Sequence, residues 1–179
     1  MLLLLLGAGC TTKTEIRTAD TGERPTSRAP SPHNDTDTAY AHEMGTMHEQ
    51  AVEMASMVGG KRVSTALGDL AAQVHRTRLS WMVSLDALRG SWGVERHASD
   101  FHGNPGELTP RQMSELHELE GSEFEELWLE RMIGNYRTAI AMSRAELDLG
   151  LSVEGREHAR QVVEDLEADL QALERHAGA

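Results

Sequence analysis

Four residues in the first helical part of the chain could bind a soft metal ion. Met44 and Met47 are three positions apart, Met44 and His48 are four apart, and Met54 follows further along. On a helix, the first three would share one patch, and thioether and imidazole groups favour Cu(I) or Ag(I). The other interpretation is that the methionines fill the core and that His48 lies at the bundle edge, bonded to water or backbone. We favour core packing, because a methionine stripe at helical spacing is common.

A second set of histidines lies in a long, glycine-rich segment. His97 and His102 flank Asp100, and His117 follows in a short predicted helix. Imidazole and carboxylate ligands would suit zinc or Cu(II), but these residues have no tight ligand spacing. We therefore interpret them as solvated histidines, and we give the same interpretation to His42, which lies off the main stripe of the first helix.

Apolar side chains recur at steps of three and four, which predicts amphipathic helices. The long helices are predicted over about residues 37–58, 64–89, 122–150 and 153–176. Thr109 and Gln112 form a capping box that begins a short helix before the third long one. Ser122, with Glu125 three residues on, is predicted to cap that third long helix. No segment shows the alternation of a strand.

The first and third long helices match at a constant offset of 88 residues. The matched pairs are Tyr40 with Trp128, Met44 with Met132, Ala51 with Ala139, Val52 with Ile140, and Met54 with Met142. The same offset aligns the second and fourth long helices, where Ala71 matches Ala159, Val74 matches Val162, and Leu85 matches Leu173. A shared offset across two helices favours duplication of a whole hairpin over coincidence. The repeats are about residues 37–93 and 109–176, and together they would form a four-helix bundle.

Three polar residues fall on seam positions where the apolar pattern predicts burial. These are Arg78, Asn135 and Asp169. A lone buried charge is costly, so Arg78 and Asp169 should pair or extend to the bundle edge. A salt bridge between them could form a polar centre for the bundle, and Asn135 should find a hydrogen-bond partner.

The N-terminus is typical of an export signal. An apolar run, Leu2 to Leu6, precedes Gly7 and Cys10 and is too short to span a bilayer as a helix. Small residues before a cysteine resemble a bacterial lipobox, although no basic residue precedes the run. We expect residues 1–10 to act as a lipoprotein signal with lipidation at Cys10. Residues 11–35 carry few large apolar side chains, which predicts a disordered tether before the domain at 36–177.

Composition excludes several classes of function. The formal net charge of −12 disfavours binding to DNA or RNA. A single cysteine cannot form an internal disulfide. The chain has no glycine-rich phosphate loop and no nucleophile elbow, and its inward stripes lack the glutamate and Glu-x-x-His ligands of a di-iron site. We therefore expect a protein that is not an enzyme.

The helical part resembles the family known as domain of unknown function 305. The residues that carry the resemblance are 44–55 (Met-Gly-Thr-Met-His-Glu-Gln-Ala-Val-Glu-Met-Ala), Trp92-Gly93, 108–113 (Leu-Thr-Pro-Arg-Gln-Met), Phe124, Trp128-Leu129, Met132-Ile133 and Ala139-Ile140-Ala141-Met142. The likeness extends from about Asp37 to Leu173. It implies an exported, ferritin-like four-helix bundle, in which paired histidines are suspected metal ligands. Several members of the family are linked to copper handling.

The chain departs from the family at the positions of those ligands. The His-His pair reads Met47-His48 in the first repeat and Asn135-Tyr136 in the second. Two further positions, often Gln-x-x-Glu in the family, read Arg78 and Trp81 in the first repeat and Leu166 and Asp169 in the second. At most half of the family's ligand set therefore remains.

The sequence thus predicts an all-α, ferritin-like four-helix bundle of two repeated hairpins with a short helix between them. We expect an exported, membrane-tethered binding protein on the periplasmic side or at the cell surface. The candidate metal is weakly bound copper, with His48, Met44, Met47 and Met54 as its ligands. The alternative is a structural or interaction protein that keeps the fold without the metal, with a homodimer as its candidate assembly. The membrane is the expected partner, through the lipid anchor on Cys10.

Overall fold

The helices of the computed structural model agree with the predicted all-α class. The structure describes residues 32–95 and 102–178, and this part contains no strand. The long helices are α1 (Asp35–Met57), α2 (Thr65–Trp92), α4 (Gly121–Leu149) and α5 (Val153–Ala177), and the short helix α3 (Pro110–Glu118) lies between the two hairpins. A single 3₁₀ turn, Val58–Gly60, follows α1. Residues 1–31, which include Cys10 and most of the predicted tether, lie outside the described part, as do His97 and Asp100.

Two predicted helix ends are wrong. The second helix does not end at Arg89 but continues to Trp92, because Gly93 adopts a left-handed conformation and its N–H bonds the carbonyl groups of Arg89 and Gly90. The third long helix begins at Gly121, before the predicted cap Ser122, and no side chain caps it. Glu125, the predicted partner of Ser122, instead accepts hydrogen bonds from Ser64 at the start of α2.

The four long helices form a bundle with one loose side. Helix α1 packs along α2 and α4, and α4 packs along α5, whereas α2 and α5 touch at few positions. The matched positions of the two repeats supply much of the core: Tyr40, Met44, Ala51, Ala71, Val74 and Leu85 are buried, as are Trp128, Met132, Ala139, Ala159, Val162 and Leu173. The Trp128 indole also donates a hydrogen bond of 2.9 Å to the carbonyl of Met54. The repeated apolar stripes therefore hold the two hairpins together.

A buried carboxylate fastens the start of α1 to the turn between α4 and α5. Asp37 is fully buried and accepts hydrogen bonds from the backbone N–H groups of Asn34 (2.7 Å), Leu151 (3.0 Å) and Ser152 (2.8 Å). The Asn34 side chain donates to the carbonyl of Leu149 at 2.9 Å. One residue earlier, the ring of His33 stacks on Trp92, the last residue of α2, with centroids 5.2 Å apart. The first helix is thus fixed to both hairpins where it begins.

A second carboxyl group, on Glu146, lies beside Asp37 and is also fully buried. A Cβ atom at Gly150 or Gly155 would collide with the Glu146 carboxyl group, so both positions need glycine while that carboxyl stays where it is. Burial raises the pKa of Glu146 to about 8, and the neighbouring carboxylate of Asp37 adds to the rise. Burial also raises the pKa of Asp37, but the hydrogen bonds it accepts outweigh burial and bring the pKa below its usual value. At neutral pH the pair therefore consists of a protonated Glu146 and an ionised Asp37.

Candidate functional site

The four residues proposed as soft ligands all lie in the core. Met44, Met47, His48 and Met54 have no exposed surface. They line the inward side of α1, so the helical spacing placed them on one face as expected. The position of His48 differs from the edge location considered above, because its imidazole contacts a charged side chain inside the bundle.

That charged side chain is Arg78 of α2, which is only 1% exposed. Its Nη1 donates a hydrogen bond of 3.2 Å to Nδ1 of His48. The guanidinium carbon lies 5.0 Å from the ring centre of Trp81 and 4.5 Å from that of Tyr136. Stacking of this kind suits arginine, whose planar cation is weakly hydrated. A full positive charge therefore lies at the centre of the bundle.

The salt bridge suggested between Arg78 and Asp169 is not formed among the described residues. Asp169 is half-buried, and its carboxylate accepts a hydrogen bond from Gln73 at 3.2 Å. Burial raises the pKa of Asp169, and the charge of Arg78 partly offsets that rise. The two charges thus interact at a distance. The reason is geometric: the guanidinium is held between two aromatic rings and the imidazole of His48.

His48 is a neutral imidazole whose tautomer follows from its partner. Burial, then the charge of Arg78, then His158 lower its pKa well below the usual value. A guanidinium has hydrogen-bond donors and no acceptor, so Nδ1 of His48 must offer its lone pair to Arg78. The ring hydrogen is therefore on Nε2, which is buried and has no hydrogen-bond partner within residues 32–95 and 102–178. The lone pair that could bind a metal is already used.

Asn135 and Tyr136, from the second repeat, complete this centre. The Asn135 amide donates a hydrogen bond of 3.0 Å to the carbonyl of Met47, while its Oδ1 has no partner among the described residues. Tyr136 presents its ring to Arg78. By the 88-residue offset, Asn135 matches Met47 and Tyr136 matches His48. The second repeat therefore has an amide and an aromatic ring where the first repeat has a thioether and an imidazole.

Sequence reasoning missed His158 on α5. It is 5% exposed, its ring centre lies 6.2 Å from that of His48, and its Nδ1 is 2.9 Å from the Tyr40 hydroxyl. Tyr40 in turn shares a hydrogen bond of 3.3 Å with Ser143. Burial lowers the pKa of His158 to about 4, so this imidazole is neutral too. The signal was available, because His158 lies four residues before Val162 on the apolar stripe of α5.

A copper ion does not fit the centre in this arrangement. A cation placed roughly 5 Å from the guanidinium would meet a repulsion of about 3 kcal/mol at an effective dielectric constant near 20. The lone pair of His48 would also have to be released from Arg78. Across residues 32–95 and 102–178, no group of three or more His, Cys, Asp or Glu side chains is arranged to hold a metal ion.

The histidines proposed as a second metal site are not assembled as one cluster in the described part. His102 lies with its Nδ1 3.5 Å from Glu107, and its ring meets that of His42 edge-on, with centroids 4.9 Å apart. His117 is exposed on α3, where its backbone carbonyl accepts a hydrogen bond from Lys61. His42 is half-buried beside His102.

The loose side of the bundle forms a groove between α2 and α5. Its volume is about 780 Å³. The lining residues are Ser84, Ala87, Leu88, Gly90 and Ser91 of α2, and Val153, Glu154, Glu157, His158 and Gln161 of α5. The buried residues Leu88 and His158 form the floor, while Val153, Glu154 and Glu157 are exposed at the rim. The groove thus combines an apolar base, a neutral imidazole and an acidic rim.

Comparison with known proteins places this fold in one family. The sequence model of DUF305, a domain of unknown function, matches residues 37–177. No curated protein matches the chain.

Solved structures of similar fold include two DUF305 proteins. One, from Streptomyces coelicolor, carries the name of a secreted protein and is 24% identical, with a TM-score of 0.70 over 77% of this chain and 89% of its own. A fragment from Deinococcus radiodurans is 22% identical, with a TM-score of 0.76 over 82% of this chain and 98% of its own.

A third structure of similar fold is CopM in its Cu(I)-bound form. It is 16% identical, with a TM-score of 0.66 over 79% of this chain and 95% of its own. At this level of identity the likeness concerns the fold alone. Because the family's sequence model covers all five helices apart from the first residues of α1, the chain belongs to the DUF305 family.

Proposed function

We propose that this protein is an extracytoplasmic, membrane-tethered binding protein whose ligand site is the groove between α2 and α5. The observation that carries the proposal is a concave surface over a buried, neutral imidazole, His158. A pocket that combines apolar walls with a few polar groups and a titratable residue of shifted pKa is typical of binding sites. No nucleophile and base are paired in it, so the proposed role is binding without catalysis.

The lining indicates the chemistry of the ligand. Leu88 provides an apolar surface at the floor, and Glu154 and Glu157 provide carboxylates at the rim, where Glu157 is also paired with Arg160. His158 is neutral, so it does not oppose a cation. A small organic cation with an apolar body, such as an amine, would therefore be complementary to the groove.

The extracytoplasmic location rests on the N-terminal sequence. The apolar run from Leu2 and the cysteine at Cys10 resemble a lipoprotein signal. The Streptomyces coelicolor protein of the same fold is named as secreted. Within the described residues, none of the helices is sufficiently long and apolar to cross a bilayer, and the proposed attachment is a lipid on Cys10.

Copper binding is the second candidate function. It is favoured by the buried methionines on α1 and by the similar fold of CopM, which has been solved with Cu(I). The hydrogen bond from Arg78 to His48 weighs against it. Titration of the full chain with Cu(I) against a competing chelator, with His48→Ala and Met47→Leu beside the wild type, separates the two candidates. Copper retained by the wild type and lost in both variants would establish the copper function.

The groove is tested with a matched pair of probes. Phenethylamine is cationic at neutral pH, and 2-phenylethanol is a neutral molecule of nearly the same size and shape. We expect the amine to shift the NMR signals of the His158 ring in the full chain, with a Kd on the order of 1 mM for so small a ligand. The alcohol should bind roughly tenfold more weakly, because it lacks the charge that faces Glu154 and Glu157.

Two glycines of α2 provide the protein control. A Cβ atom at Gly90 or at Gly68 meets no other atom within 4 Å, but only Gly90 lines the groove. Gly90→Leu should fill the groove and abolish binding of the amine, whereas Gly68→Leu should leave it unchanged. Equal binding of both probes, or unchanged binding by the Gly90 variant, would contradict the proposal.

A further inference from the structure

We infer that Arg78 supplies the buried positive charge at the centre of this bundle in place of a metal ion, and that its hydrogen bond keeps His48 from acting as a metal ligand. A neutral hydrogen-bond acceptor at position 78 would convert the centre into a site for one Cu(I) ion. The inference concerns the core of the bundle, and His158 is the one residue named for it that also lines the groove.

The first step concerns the lone pairs of the imidazole. A metal ligand must offer a lone pair, and neutral imidazole has only one. Nδ1 of His48 gives it to Nη1 of Arg78, 3.2 Å away. The other nitrogen, Nε2, carries the hydrogen and has no partner among the described residues. His48 can therefore become a ligand through Nε2 only if Nδ1 acquires a hydrogen, and Nδ1 must then face an acceptor.

The second step concerns the position of the guanidinium. Arg78 is buried, with its guanidinium carbon 5.0 Å from the ring centre of Trp81 and 4.5 Å from that of Tyr136, and with its Nη1 bonded to His48. No carboxylate forms an ion pair with it among the described residues, so the positive charge at the centre is not neutralised by contact. An added metal cation would share a low-dielectric space with this charge.

The third step identifies the residues that could complete a ligand set. Met44 lies one helical turn before His48 and has no exposed surface. The ring of His158, from α5, is 6.2 Å from that of His48, and its Nε2 can offer a lone pair to a metal when its Nδ1 donates to the Tyr40 hydroxyl. One thioether and two neutral imidazoles form a soft ligand set of the kind that Cu(I) prefers.

Glutamine at position 78 is the informative substitution. Its amide oxygen can accept a hydrogen bond from Nδ1–H of His48, which would release the lone pair of Nε2 for a metal. Lysine at the same position keeps the positive charge and can only donate. Arg78→Gln thus removes the positive charge and adds a hydrogen-bond acceptor, whereas Arg78→Lys keeps the charge and adds no acceptor.

The experiment is an anaerobic Cu(I) titration of the full chain against bicinchoninate. We expect the wild type and Arg78→Lys to yield all copper to the chelator. Arg78→Gln should retain one Cu(I) per chain, with an affinity roughly 100-fold above that of the wild type. The double variant Arg78→Gln/His48→Ala should lose this copper. Near-ultraviolet circular dichroism of the tryptophans shows whether each variant keeps its packed core.

A second measurement does not depend on any variant. Nitrogen-15 chemical shifts of His48 in the wild type should show an unprotonated Nδ1 and a protonated Nε2. The inference is overturned if the hydrogen is found on Nδ1, if the wild type retains a copper that requires His48, or if a folded Arg78→Gln variant retains none. Failure of the groove proposal would change none of these results, because they follow from the contact between Arg78 and His48, and a His158 that binds no amine in the groove keeps its imidazole beside His48.

Discussion

Two contacts between an acidic side chain and the start of a helix connect the two hairpins, and the 88-residue repeat relates one contact to the other. We call each of these contacts a clasp. Asp37 of α1 accepts a hydrogen bond from the backbone of Ser152, which caps α5, and Glu125 of α4 accepts one from the backbone of Ser64, which caps α2. Both residue pairs differ by 88 in number. In each clasp, an acid from one hairpin thus holds the first turn of the second helix of the other hairpin.

The clasps differ in their surroundings. Asp37 is fully buried beside Glu146. The position that matches Glu146 in the first repeat is Val58, so the Glu125 clasp has no second carboxyl group there. Glu125 instead contacts Nε2 of His176 at 2.9 Å and remains partly exposed. One repeated contact is therefore fully buried beside a second carboxyl group in one place, and partly exposed beside a histidine in the other.

Removal of the buried clasp should have the largest effect. In Asp37→Ala, the backbone N–H groups of Leu151 and Ser152 lose their acceptor inside the protein, and the capping box with Asn34 is lost as well. We expect the free energy of unfolding to fall by about 3 kcal/mol. Urea denaturation monitored by circular dichroism measures this change. A loss below about 1 kcal/mol would show that burial does not distinguish this clasp from its counterpart.

The pH dependence of stability should distinguish the clasps next. The pKa of Glu146 is about 8 in the folded protein, against 4.5 as the usual value. Between these pH values the folded state holds a proton that the unfolded state has lost, so the free energy of unfolding falls as pH rises. From pH 5 to 8 we expect a loss of about 3 kcal/mol from these two pKa values.

Glu146→Gln should remove this loss, because an amide cannot ionise. Thermal unfolding of the wild type and the variant at pH 5, 6.5 and 8 provides the measurement. The melting temperature of the wild type should decrease along this series, and that of the variant should decrease less. Parallel pH profiles of the two proteins would indicate that Glu146 is ionised in both states.

The exposed clasp should contribute less. Hydrogen bonds from Ser64 and His176 outweigh partial burial and lower the pKa of Glu125. The stability that this carboxylate provides is therefore present above its usual pKa and is lost as pH falls below it. Glu125→Ala should cost about 1 kcal/mol at pH 7 and low salt, and less at high salt, in the same urea assay. A cost equal to that of Asp37→Ala would make the two clasps energetically equivalent.

The smallest effect is expected at Ser122, which was predicted to cap α4. Ser122 is exposed, and no side chain caps the helix. Ser122→Ala should change the free energy of unfolding by less than about 0.5 kcal/mol. Ser64→Ala is the matched comparison, since the Ser64 hydroxyl accepts from the N–H of Leu67 at 3.2 Å; it should cost about 1 kcal/mol.

The sequence predicted the helices and the burial of the methionine stripe from local periodicity, and it predicted the repeat from the constant offset of 88 residues. The sequence could not predict which side chain the Arg78 guanidinium would contact. Both an ion pair with Asp169 and a contact with His48 satisfy the pattern, and only the packing of four helices decides between them. The Asp37 clasp was also beyond sequence reasoning. An aspartate in a first helical turn is usually a solvated residue of an N-terminus, and here the turn between α4 and α5 covers it.

The attachment of α1 has a mechanical consequence for a chain pulled from its N-terminus. Tension applied at Pro32 would first reach the stacked rings of His33 and Trp92 and the hydrogen bond from Asn34 to Leu149. These contacts belong to different hairpins, so the load would divide between both of them before it reached the apolar core. A protein held to a surface by this end could thus be dragged or sheared without the first helix peeling away from its neighbours.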